Sequence, residues 1–241
     1  AKGKKVEIAL QQDFDRGDAI NKIIMEDLIG SAIPWKITQA DQEDWNQDDG
    51  SLVRKYLNPI TALAMLGKAS SKGVTPVKAS RVLINAQSFW GVISKIPNFG
   101  KNKAKANTVA AQPVVLKAIA KLFYDLGFGN KAVRNEEDFK KLVNNLRKID
   151  FKHTNRLWGS LMSDSATRNK NFPGIERYVF VPKGTNLDAG TIDPDYGWVR
   201  YGMKHNDIYP RIGDLIRFDL KLSPRPSVTK AIEKEKEKEN S

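Results

Sequence analysis

The 241-residue sequence contains no cysteine. That excludes a disulfide frame, a thiolate nucleophile and a cysteine-based zinc or iron–sulfur site, and it fits a reducing compartment. Histidine is nearly as scarce. His153 and His205 are the whole supply and do not stand at metal-ligand spacing, so no metal site is expected. Long hydrophobic runs are missing as well. Stretches such as Val114-Val115-Leu116 are far too short to span a bilayer. The basic start, Ala1-Lys2-Gly3-Lys4-Lys5, leads into no apolar run of the signal-peptide kind. A cytoplasmic protein without a membrane partner is the expectation. Neither G-x-x-x-x-G-K-S/T nor G-x-G-x-x-G occurs, and no serine sits in G-x-S-x-G. Gly127-Phe128-Gly129 follows a helical pattern and reads as a helix end. No catalytic residue and no cofactor are expected.

Acid is also missing from one long stretch. Residues 1–50 hold 6 basic and 11 acidic side chains, whereas residues 51–130 hold 12 basic ones and a single acid, Asp125. Such an asymmetry raises the local potential and attracts a polyanion; a merely solubilising surface mixes both signs. The net charge of +12 therefore points toward nucleic acid. The acidic group Asp41, Glu43, Asp44, Asp48 and Asp49 misses the calcium-loop pattern and reads as a solvated loop.

What is present is mostly helical periodicity. Ala19, Ile20, Ile23, Ile24, Leu28 and Ile29 recur at helical spacing over residues 18–29, with Gly30 and Pro34 as the stop. Further helices are predicted over 52–66, with a break or kink at Pro59, and over 77–95. Residues 98–107 read as an exposed basic loop or a helix entry, leading to an apolar helix over 109–126 in which Pro113 suits only the first turn. The clearest helix is 136–148, capped by Asn135, with Glu136, Glu137 and Asp138 first and Arg147 and Lys148 last. Residues 178–181 and 215–220 read as short strands. The fold class is mainly α, a helical domain with a few short strands toward the C-terminus. Residues 1–172 form the helical region with its basic middle. Residues 173–225 form a smaller mixed segment, and 226–241 a charged tail, either a solvated helix or disorder.

One segment mixes donors and anchors. In residues 149–158, Lys152, His153, Thr154, Asn155 and Arg156 lie between Ile149, Phe151, Leu157 and Trp158. Two readings fit equally: buried aromatics that aim a polar face at phosphates and base edges, or an ordinary packed helix. Phe151 and Trp158 are predicted to be buried anchors in either case. Arg168, Asn169 and Lys170 form a second donor cluster.

Three stretches resemble the DGQHR-domain family, which includes the DndB-like proteins of the DNA phosphorothioate (sulfur modification) system. Lys4-Lys5-Val6 followed by Phe14-Asp15-Arg16-Gly17-Asp18 is similar to a lysine–valine pair ahead of F/Y-D-x-R-D. Residues 102–126 resemble the family's central helix, and residues 146–158 its L-x-x-I-D-W-S-R-x-N-x-x-W signature. The likeness covers residues 1–172. Phe151 stands where the family has Trp, Gly17 is inserted between Arg16 and Asp18, and D-G-Q-H-R itself is absent. The resemblance implies a C-terminal portion of such a protein, acting as a DNA-binding transcriptional repressor of a DNA-modification gene cluster. Two alternatives remain: a subunit of a modification enzyme whose nucleotidase half is missing here, and a scaffold that docks modification enzymes. Double-stranded DNA is the expected partner, with self-association and other DNA-modification proteins as further partners. The expected DNA contacts are Arg54, Lys55, Lys68, Lys72, Lys78, Arg81, Lys101, Lys103, Lys105, Lys152, His153, Asn155, Arg156, Arg168 and Lys170.

Overall fold

Buried aliphatics at three- and four-residue spacing decide how this chain folds. The structure is a computed structural model that describes residues 19–38, 45, 48–70, 76–182, 187–202 and 205–239. Lys72, the motif over residues 4–18 and the acidic residues 41–44 lie outside the described residues.

Helix α1 (Ala19–Ile23) runs into a π-helical turn, Ile24–Leu28, which buries the predicted apolar face and stops at Gly30 in a left-handed conformation. Strands β1 (Ile37–Thr38) and β2 (Leu52–Val53) pair in parallel, and α2 (Arg54–Leu66) follows at once with Pro59 inside it. Helix α3 (Pro76–Ile93) buries Ala86, Phe89, Trp90 and Ile93, the i, i+3, i+4, i+7 set of one face. Trp90 meets its polar need by donating from Nε1 to Thr61 Oγ1 on α2 at 3.2 Å. The α2 terminus needs glycine. Gly67 has φ +71, and a Cβ there would stand 2.4 Å from the Tyr124 ring.

After the short α4 (Ala104–Asn107), a 3-10 turn at Val109–Ala111 leads into α5 (Pro113–Phe128), with Pro113 in its first turn as predicted. Helix α5 is the centre of the molecule: nine of its residues are buried, and it packs against α2 and its C-terminal neighbours. Helix α6 (Glu136–Asn145) begins as the sequence predicts, its Asn135 side chain accepting from Asp138 N at 3.0 Å. Helices α7 (Arg156–Gly159) and α8 (Ser165–Asn171) are short. The antiparallel hairpin of β3 (Gly190–Ile192) and β4 (Val199–Tyr201) follows, then α9 (His205–Asp219) and α10 (Pro226–Glu239). Among the described residues the architecture is mainly α with two two-stranded sheets.

Both strand predictions near the C-terminus need correction. Residues 215–220 belong to α9, because Leu215 and Ile216 continue a buried stripe begun by Ile208 and Ile212. Residues 178–181 pair with no strand; Val179 N instead bonds back to Ile175 O at 2.9 Å, and Tyr178 packs on Phe218. One hydrophobic cluster runs from Ala19 to Leu222, so residue 172 marks no division in the core.

Candidate nucleic-acid interface

A buried carboxylate organises the basic loop. Asp48 accepts from Lys105 N at 2.6 Å and from Lys105 Nζ at 3.1 Å, and its carbonyl takes Lys103 N at 2.8 Å. The loop can approach this closely because Gly50, at φ +79, has no Cβ; one built there would lie 2.4 Å from Lys101 O. Lys103 itself adopts φ 58 ahead of α4. Turning a loop into a helix at that point breaks the alternate spacing of the three lysines. Lys101 and Lys103 face solvent, whereas Lys105 is 6% exposed and its charge is met by Asp48. Lys105 is therefore corrected from a DNA contact to an internal ion pair.

The 149–158 segment lies against the same loop. Ile149, Phe151, Leu157 and Trp158 are buried, with the Phe151 and Trp158 rings stacked at 5.0 Å. Phe151 O accepts from Val109 N at 2.9 Å, tying the segment to the start of the central helix. Asn155 is used at both ends of its amide: Oδ1 caps α7 by accepting from Leu157 N at 3.1 Å, and Nδ2 donates to Asp150 O at 2.8 Å. His153 is also occupied. Its Nδ1 accepts from Val199 N at 2.9 Å, which leaves Nε2 to donate to Lys105 O at 2.7 Å. Burial pushes this imidazole below the usual histidine range, with the Arg200 charge adding to the shift and the Lys105 carbonyl opposing it. The ring is neutral and structural.

Arg168 needs the same correction. It is 2% exposed and closes the preceding turn, donating to Ser160 O, Ser163 O and Ser165 Oγ at 3.0–3.2 Å. On these two segments the exposed cations are Lys95, Lys101, Lys103, Lys152 and Arg156, of which Lys95 is not among the contacts expected from the sequence. A surface hollow of about 110 Å³ between Asn98, Asn107, Asp150 and Lys152 joins the two segments. Lys55 and Lys68 are exposed at opposite ends of α2, about 20 Å apart by helix rise, and Lys170 is exposed on α8. Arg54 is half-buried at the first position of α2. Lys78 and Arg81 lie in α3, with side chains outside the described residues.

The hairpin adds a feature that the sequence reading missed. The Arg200 guanidinium lies over both Trp45 (4.8 Å) and Trp198 (5.2 Å), whose rings are themselves 5.5 Å apart, and pairs with Asp193 at 3.2 Å. Trp45 in turn meets His153 at 5.7 Å, and Tyr196 stacks on Trp198 at 4.3 Å. Gln112 fastens β4 like a neighbouring strand, donating to Val199 O at 2.8 Å and accepting from Tyr201 N at 3.1 Å. The available signal was the alternation of Trp198, Val199, Arg200 and Tyr201 after the Asp193-Pro194 turn. The stack seats the hairpin on the loop and segment that carry the outward lysines.

Among the described residues, no group of three or more His, Asp or Glu is placed to hold a metal ion, and no helix is long and apolar enough to cross a membrane. Comparison with protein-family models, with curated proteins and with solved structures finds no match to this chain.

Proposed function

We propose that this chain binds double-stranded DNA through the face bearing Lys95, Lys101, Lys103, Lys152 and Arg156. In the setting implied by the family resemblance, it acts as a repressor of a DNA-modification (phosphorothioate) gene cluster. The observation that carries the reading is the gathering of two basic segments, about fifty residues apart in sequence, around Asp48 and His153. The buried cations there have internal partners, and the outward ones remain for phosphates. Phosphate contacts position a protein and base contacts make it specific. Of the donors in 152–156, Arg156 is exposed, and its planar fork can grip a guanine edge in two places.

The experiment is binding to the promoter of the chain's own gene cluster against a random duplex at fixed salt. Lys101→Ala/Lys103→Ala/Lys152→Ala is expected to weaken both complexes alike. Arg156→Ala is expected to reduce the promoter preference by about 1–3 kcal/mol. No binding to either duplex by the unaltered chain would defeat the proposal.

A further inference from the structure

The cleft between α5 and α9 is lined by ionisable groups that the DNA reading does not use. Its cavity is about 160 Å³, ample for more than one water and smaller than a drug-sized pocket. Lys121 and Asp125 line it from α5, Tyr209, Asp214 and Arg217 from α9, and Arg225 from the link to α10. Both carboxylates are already engaged. Lys121 donates to Asp125 one turn along the helix, and Arg225 reaches the two oxygens of Asp214 from Nε and Nη2 at 3.1 and 2.6 Å.

Arg217 differs from its neighbours. It is 4% exposed, yet among the described residues no carboxylate lies within 4.0 Å of its guanidinium. Its side chain makes one hydrogen bond to protein there, from Nη1 to Ser223 O at 2.8 Å. A guanidinium has five N–H donors. Among the described residues the sealed side-chain nitrogens without a partner are Nε of Arg168, Arg200 and Arg211; Nε and Nη2 of Arg217 are not among them, and this side chain lines the cavity. Asp214, Asp125 and Asp138 attract this cation through space without accepting a hydrogen bond from it, so its remaining N–H donors are unfilled among the described residues. Its planar fork matches an oxyanion in two places, and the neighbouring cations stand at the cavity wall.

We propose that this cleft binds a small oxyanion, a phosphate or carboxylate group, held by the inner N–H edge of Arg217 with Lys121 and Arg225 beside it. The site is separate from the DNA face and stands or falls independently of that reading. The probes are sodium phosphate and sodium acetate, each titrated against sodium chloride at constant ionic strength while the melting temperature of the full chain is followed.

One of the two anions is expected to raise Tm to a plateau above chloride, which also tells a tetrahedral from a planar oxyanion. Arg217→Met removes the plateau. Should that variant fail to fold, Lys121→Met on the half-exposed face of α5 gives the answer by weakening the apparent affinity about tenfold, the loss of one charge-assisted hydrogen bond. Lys101→Ala/Lys103→Ala/Lys152→Ala retains the plateau, which separates this site from phosphate contacts at the DNA face. The proposal is overturned if neither anion gives a plateau, if the rise is linear in every variant as general salt exclusion requires, or if Arg217→Met and Lys121→Met both keep it unchanged.

Discussion

Asp48 holds together the most consequential interaction at the scale of single residues. Its carboxylate takes both the backbone N–H and the ammonium of Lys105, 57 positions later in the chain. Removing it leaves a buried ammonium without a partner, so Asp48→Ala is expected to lower stability by about 3–5 kcal/mol in urea unfolding. Lys101→Ala, at a solvated position of the same loop, is expected to stay within about 0.5 kcal/mol. Equal effects would mean that Lys105 is not buried as described. A charge run names the cations but does not say which of them turn inward. That is decided here by a carboxylate in a loop that reads, by itself, as merely solvated. The same limit hid Arg168, whose partners are backbone carbonyls and carry no sequence signal.

His153 makes a second residue-scale prediction. Its proton affinity is lowered from the ordinary value of 6.5 by burial and by Arg200, and a proton on Nδ1 would face the Val199 N–H that this nitrogen now accepts. The folded state therefore resists protonation. The contribution of this ring to stability is complete above 6.5 and is lost as pH falls through the lower folded value. The unfolding midpoint should fall between neutral pH and about pH 5 by more in the unaltered chain than in His153→Gln, since carboxylate titrations are common to both. Equal pH dependence in the two proteins would contradict the tautomer assigned here.

Among the elements, helices with caps and long apolar faces were legible. Asn135 followed by three acids marked the start of α6, and Pro113 marked the first turn of α5. Residues 215–220 were not, because alternation over six residues also fits the edge of a helix whose stripe began at Ile208. The hairpin escaped because each of its strands is only three residues long and is held by Gln112, His153 and the Arg200 stack, all contacts distant in sequence. The anchoring role of Trp158 was legible from its place among donors. It is fully buried, stacks on Phe151 and donates from Nε1 to Asp150 O at 2.8 Å. Trp158→Ala is expected to cost about 3–5 kcal/mol. A loss below about 1 kcal/mol, as surface substitutions give, would show that the 149–158 segment is not held by this ring.

Over the whole molecule, a single hydrophobic cluster with α5 at its centre fixes where the charges end up. The basic stretch that looks continuous along residues 51–130 is dispersed by that packing. Lys105 is neutralised inside, Lys121 pairs with Asp125, and Lys55 and Lys68 are separated by the length of α2. What survives is a smaller face assembled from residues 95–103 and 152–156. The direct test of that assembly is the salt dependence of affinity for a random duplex, measured for the unaltered chain and for Lys101→Ala, Lys103→Ala and Lys152→Ala singly and combined. Each lost phosphate contact should flatten the log–log slope by about 0.9, and the combined variant by about three times that. Slopes that stay unchanged in the combined variant, while the protein still binds, would remove this face from the interface and contradict the account.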